Sequence, residues 1–128
     1  MSICYEFKNV RPDGKYLNDC YIRAIVSATG MRYEEIEALY KKKQTELDAK
    51  RLNEKNVVFA VLQSLGFTQK VTFARGTKMV RLSTFLRDNK GKYILYTRNH
   101  ICYAENGTVF DTWDCTRCLL RGYFSIEN

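Results

Sequence analysis

Three residues whose types combine into thiol chemistry stand far apart in the chain: Cys20, the single histidine His100, and Asp111. A sulfur nucleophile attacks a carbonyl carbon, an imidazole takes up its proton and returns it, and a carboxylate holds that imidazole in one tautomer. Such a thiol gains from a helix N-terminus, where the dipole and free amides favour negative charge. Of the five cysteines, only Cys20 is placed there by the sequence. Asn18 or Asp19 offers an N-cap, an apolar stretch runs from about Cys20 to Thr29, and Gly30 supplies the stop.

His100 and Asp111 flank Asn106-Gly107. Asn-Gly between two alternating runs is the strongest short-range hairpin signal, because both turn positions need positive φ. With a two-residue turn, Glu105 faces Thr108 and Ala104 faces Val109. Continuing outward sets Cys102 against Asp111 and His100 against Trp113. Cross-strand partners share a face, as do residues two apart on one strand, so His100, Cys102, Asp111 and Trp113 are expected on the same side of the sheet.

The elements that must position these residues follow from the remaining pattern. Ile3–Val10 reads as an edge strand, with a turn at Arg11-Pro12-Asp13-Gly14. After the Cys20 helix comes an amphipathic one carrying Tyr33, Ile36, Leu39 and Tyr40. Its glutamates Glu34, Glu35 and Glu37 lie early and Lys41, Lys42 and Lys43 late, which suits the helix dipole. Residues 44–55 are a helix extension or an exposed loop. A third helix is expected from about Asn56 to Leu65, then a strand Val71–Ala74, a turn Arg75-Gly76-Thr77 and a short helix Leu82–Arg87. Strands follow at Lys92–Thr97, His100–Glu105, Thr108–Trp113 and Leu119–Ile126. Helices first and strands after predict one α+β domain over residues 1–128, with N-terminal helices packed on a C-terminal antiparallel sheet.

Composition bounds the function. A chain of 128 residues with 45% hydrophobic content fits a single domain with its own core and excludes intrinsic disorder. No basic stretch followed by a long apolar run opens the chain, and no apolar segment approaches a membrane span, so a cytoplasmic protein is expected. Cytosolic thiols stay free, which makes each cysteine core filler, metal ligand or reactive group. Cys4 and Cys102 read as core thiols, with Cys102 on the His100 face. Cys115 and Cys118 form a Cys-x-x-Cys pair without the second pair a structural zinc site needs, and without the helix start of a redox motif, so neither metal nor cofactor is expected. The net charge of +7 concentrates in a stretch from Lys70 through Arg75, Lys78, Arg81, Arg87, Lys90 and Lys92 to Arg98, opposed only by Asp88. That face is either a solvated surface or a site for an acidic partner, nucleic acid included.

The order Cys20, His100, Asp111 is similar to the papain-like cysteine peptidase superfamily, and Asp111-Thr112-Trp113 resembles its Asn/Asp-x-Trp element. Asn18-Asp19-Cys20-Tyr21-Ile22-Arg23-Ala24, with the late Asn99-His100, Asn106-Gly107 and Asp111-Thr112-Trp113-Asp114, more closely resembles a group of small bacterial and phage proteins. The resemblance implies a papain-like fold and a cysteine peptidase or amidase acting on a peptide or amide. Cys20 is then the nucleophile, His100 the base and acid, and Asp111 the orienting group, with Trp113 covering the His100–Asp111 bond. Where papain-like enzymes carry an oxyanion glutamine, about six residues before the cysteine, this chain has Gly14. Asn18 and the Cys20 amide take that role in this reading. The alternative is a non-catalytic phage-type protein on the same fold, working in a host cytoplasm and binding a host protein or nucleic acid through its basic face.

Overall fold

The four inner strands of the central sheet alternate their side chains between two apolar layers. The computed structural model describes residues 4–15, 18–72 and 79–126. In chain order the elements are β1 (Tyr5–Phe7), α1 (Cys20–Thr29), α2 (Tyr33–Glu46), α3 (Lys55–Ser64), β2 (Phe67–Thr72), α4 (Leu82–Asp88), β3 (Lys92–Tyr96), β4 (Ile101–Glu105), β5 (Thr108–Asp111) and β6 (Gly122–Ile126). The six strands form one sheet in the order β1-β5-β4-β3-β6-β2.

The α+β class is as the sequence predicts, but the sheet is mixed. β1 pairs parallel with β5, in the register Tyr5↔Val109 to Phe7↔Asp111, while every other neighbouring pair is antiparallel. Nor do the strands all follow the helices. β1 precedes them, and β2 lies between α3 and α4, starting at Phe67 rather than Val71. The reason is local: Gly66 takes φ 90°, turning the chain directly from helix into strand and burying Phe67. The expected positions Ile3, Phe73, Ala74 and the Arg75-Gly76-Thr77 turn lie outside the described residues, as do Arg75 and Lys78 of the basic stretch.

On one face, Ile94, Ile101, Tyr103 and Phe124 pack with Ile22, Ile25 and Val26 of α1, Ile36 and Tyr40 of α2, and Val57, Val61 and Leu62 of α3. On the other, Leu95, Cys102, Ala104 and Val109 pack with Leu82, Phe85 and Leu86 of α4 and with Cys115 and Leu120. Burial at roughly 25 cal/mol per Å2 of apolar surface drives both layers together. The Tyr40 hydroxyl, fully enclosed, donates to the Tyr21 carbonyl at 2.6 Å and ties α2 to the first turn of α1. Among the described residues, no helix is long and apolar enough to cross a membrane.

The β4–β5 hairpin has the predicted register, Glu105↔Thr108, Ala104↔Val109 and Tyr103↔Phe110, around Asn106 (φ 53°) and Gly107 (φ 86°). It is shorter than expected at its open end. β4 begins at Ile101, and β5 stops at Asp111 because the Thr112 amide folds back onto Asp111 Oδ1 at 2.7 Å. The last strand likewise begins at Gly122, with Leu119 making only a bridge to Arg81.

Candidate functional site

The open end of that hairpin holds His100 and Asp111 together: Nε2 of the ring lies 2.5 Å from Asp111 Oδ2. His100 lies just before β4 and Asp111 ends β5, beyond the paired register that runs from Glu105↔Thr108 to Tyr103↔Phe110. Cys20 is the first residue of α1 and is partly exposed. It reaches His100 from the helical layer, and both line one cleft of about 630 Å3 with Asn18, Tyr21, Lys55 and Arg121. With Nε2 committed to Asp111, Nδ1 is the ring nitrogen left for a proton exchange.

Burial works against a charge on the His100 ring, yet hydrogen bonding to Asp111, then to Cys115 and Cys20, overcomes it and pushes the pKa up to about 11. Asp111 moves the opposite way. Its burial favours the neutral acid, but the ring, the Thr112 amide and Arg23 together hold its carboxyl below the usual range.

For Arg23, one turn after Cys20, the sequence leaves open whether it holds the helix start or a neighbouring carboxylate, or is exposed. It is buried on α1, where Nη1 donates to Asp111 Oδ1 at 2.8 Å and to Thr112 Oγ1 at 3.3 Å, while Nε donates to Asp19 Oδ1 at 2.7 Å. Asp19 occupies the N-cap position of α1, but its side chain makes no cap hydrogen bond. It accepts instead from Arg23, from the Tyr33 hydroxyl at 2.7 Å and from Arg11 at 2.9 Å. A chain of paired charges thus runs His100–Asp111–Arg23–Asp19–Arg11 and fixes α1 against the hairpin. The Asp111 carbonyl is held as well, accepting from the Lys8 amide at 2.8 Å and the Tyr5 hydroxyl at 3.1 Å. The signal for Arg23 was its position one turn beyond Asp19, an i,i+4 pair. Nothing local announces its second partner.

Trp113 lies beyond the strand end, so it is not the ladder partner of His100. Its ring still packs on the imidazole, with centroids 4.7 Å apart and tilted by 49°. With 46% exposure it screens one side of the ring rather than enclosing the His100–Asp111 bond. Asn18 is exposed beside Cys20 on the cleft wall, and among the described residues its side chain has no hydrogen-bond partner.

The Cys-x-x-Cys pair divides. Cys118 is partly exposed, and its amide donates to the Cys115 carbonyl at 3.0 Å. Cys115 is buried behind His100, and a thiol–thiol hydrogen bond of 3.5 Å joins it to Cys102. Contact with Cys102 lowers the Cys115 pKa, burial opposes this, and His100 lowers it further, to about 6. The same contact, with complete burial, pushes Cys102 well up. Cys102 therefore stands behind the site as Cys115's partner rather than on the cleft wall. Two thiols address one ring, and of these Cys20 lines the cleft. One ligand atom each from His100, Asp111 and Cys115 lies within 4.8 Å of the others, a set with the donor chemistry of a divalent metal site. The Arg23 guanidinium on Asp111 opposes a cation there.

The chain matches no protein-family model, no curated protein and no solved structure.

Proposed function

We propose that this protein is a papain-like cysteine peptidase or amidase in which Cys20 is the nucleophile. The observation that carries the reading is the arrangement of one imidazole between a buried, twice-anchored carboxylate and a thiol at a helix N-terminus that opens on a cleft. A ring as basic as His100 already holds, near neutral pH, the proton that the Cys20 sulfur gives up, so sulfur attacks the carbonyl carbon as a thiolate beside the imidazolium. The Cys20 amide and the Asn18 side chain receive the oxyanion. The imidazolium then delivers its proton to the leaving nitrogen, which departs as the amine and leaves an acyl-thioester on Cys20. A water, deprotonated by the same ring, hydrolyses that ester. Asp111 holds the tautomer throughout, and Arg23 keeps Asp111 ionised and aimed.

Alkylation by iodoacetamide followed across pH, with the labelled cysteine mapped by mass, tests this. Cys20 is expected to react faster than free cysteine near neutral pH, and His100→Ala to bring it down to the free-thiol rate. If Cys20 reacts no faster than a model thiol and His100→Ala changes nothing, the reading falls. A non-catalytic binding protein then remains.

A further inference from the structure

The cleft beside Cys20 has a charge as well as a shape. Among the described residues, no Asp or Glu lines it. Three cations do: Lys55 at the start of α3, Arg98 in the β3–β4 turn, and Arg121 just before β6. None of the three has an ion-pair partner among the described residues. Other surface cations do have one, as in Arg32–Glu35, Lys43–Glu46 and Lys92–Glu105.

Two of the three are held in place. The Lys55 ammonium sits over the rings of Phe59 and Tyr96, 5.4 and 5.7 Å from their centroids. Arg121 is partly buried, and its amide donates to the Tyr96 carbonyl at 2.8 Å. The first turns of α1 and α3 both reach this cleft through Cys20, Tyr21 and Lys55, adding their positive dipole ends. A concave site with one sign of charge and apolar walls focuses its field on whatever enters.

We propose that the cleft selects an anionic acyl donor, a short acidic peptide or amide whose carboxylate lies against Arg121, Lys55 and Arg98 while its scissile carbonyl meets Cys20. The proposal rests on the thiol-hydrolase reading of the same site and names its substrate class. A peptide is favoured over a nucleic acid because the cations converge on one pocket. Lys92, at the far end of β3, does not line the cleft and is paired with Glu105. A polyanion needs a track of phosphate contacts.

A pair of small reagents separates this proposal from the hydrolase reading. Iodoacetate and iodoacetamide differ by one negative charge, and the ratio of their rates at Cys20, divided by that of free cysteine, reads the charge of the cleft even if the enzyme turns nothing over. The ratio is expected above unity, and to fall about fivefold in Lys55→Gln/Arg121→Gln, as for two partly exposed charge pairs. Circular dichroism of the double variant establishes that it is folded. Equal ratios with and without the two cations overturn the proposal, whatever the absolute rates are. Slow labelling by both reagents defeats the hydrolase reading instead, while the ratio still reports on the cleft. In a second arm, an N-acetyl-glutamyl peptide is expected to protect Cys20 from iodoacetamide and its glutamine counterpart to protect less. Equal protection by the two peptides, or stronger protection by a single-stranded oligonucleotide, overturns the acidic-peptide assignment.

Discussion

Arg23 is the residue on which the geometry turns, because it alone among the described residues bonds both the carboxylate at the helix start and the one that holds His100. Replacing it by methionine leaves two buried carboxylates short of a counter-charge. Breaking such a pair is expected to cost about 3 kcal/mol or more, read as a lowered urea midpoint. Asp111→Asn is a milder change in shape with a severe effect on chemistry. It can fix the wrong tautomer of His100, and the expected loss in turnover on an activated ester or amide is about a thousandfold or more. Cys115→Ser tests which thiol is the nucleophile. Cys20 labelling by iodoacetamide, and its dependence on His100, are expected to survive, since Cys115 is buried behind the ring. At this scale the sequence revealed residues whose types are rare or chemically distinct, namely Cys20, His100 and Asp111. It did not reveal the second partner of Arg23, which lies 88 positions away, nor the closeness of Cys115 to His100. A Cys-x-x-Cys spacing points towards a cysteine pair, whereas the buried Cys115 thiol hydrogen-bonds Cys102 and Cys118 stays partly exposed.

Among the elements, the β4–β5 hairpin sets the site, because its register decides which side chains share a face. Asn106 and Gly107 both hold positive φ, and a Cβ at Gly107 would also meet the end of the Lys90 side chain at 2.8 Å. Gly107→Val is expected to cost about 1 to 2 kcal/mol. It is also expected to lower Cys20 reactivity, since any slip in pairing separates His100 from Asp111. Hairpin register was legible because turn chemistry is local. The parallel β1–β5 pair was not: nothing in a short edge strand says which distant strand it will join, and parallel partners need a long crossover. The helix boundaries came close because apolar spacing and Gly30 mark them. Asp19 reads as a cap from sequence, yet its carboxylate is drawn away by Arg11, Arg23 and Tyr33, stronger partners than the amides of the first turn.

For the whole molecule, the buried charges fix how stability depends on pH. His100 has a folded pKa of about 11 against 6.5 for an ordinary imidazole, so the native state holds its proton more tightly than the unfolded chain does. That contribution is complete below about 6.5 and is lost as pH rises towards 11. Asp19 and Asp111 titrate below the ordinary carboxylate value of 3.8, so theirs is present above that pH and lost as pH falls beneath it. Urea unfolding is therefore expected to show greatest stability between about pH 4 and 6.5, with an alkaline decline that His100→Ala flattens. The two-sided sheet was not read from the sequence, although apolar residues at successive positions of β3 and β4 suit strands covered on both faces. That α4 supplies the second cover was not legible either, because a helix of 7 residues carries too few positions to declare a face.

The pairing of Tyr5 with Val109 also orders events in time. Cys20 and its helix neighbours can form local structure early, but His100 and Asp111 arrive only when residues 100–111 fold onto them. β1 can close the edge of the sheet only once β5 exists. Contacts across such sequence separation are entropically late and slow. During synthesis the sulfur accordingly lacks its imidazole until residues 100–111 have emerged and folded onto it. A chain interrupted before the hairpin carries Cys20 without the imidazole and carboxylate of the proposed triad.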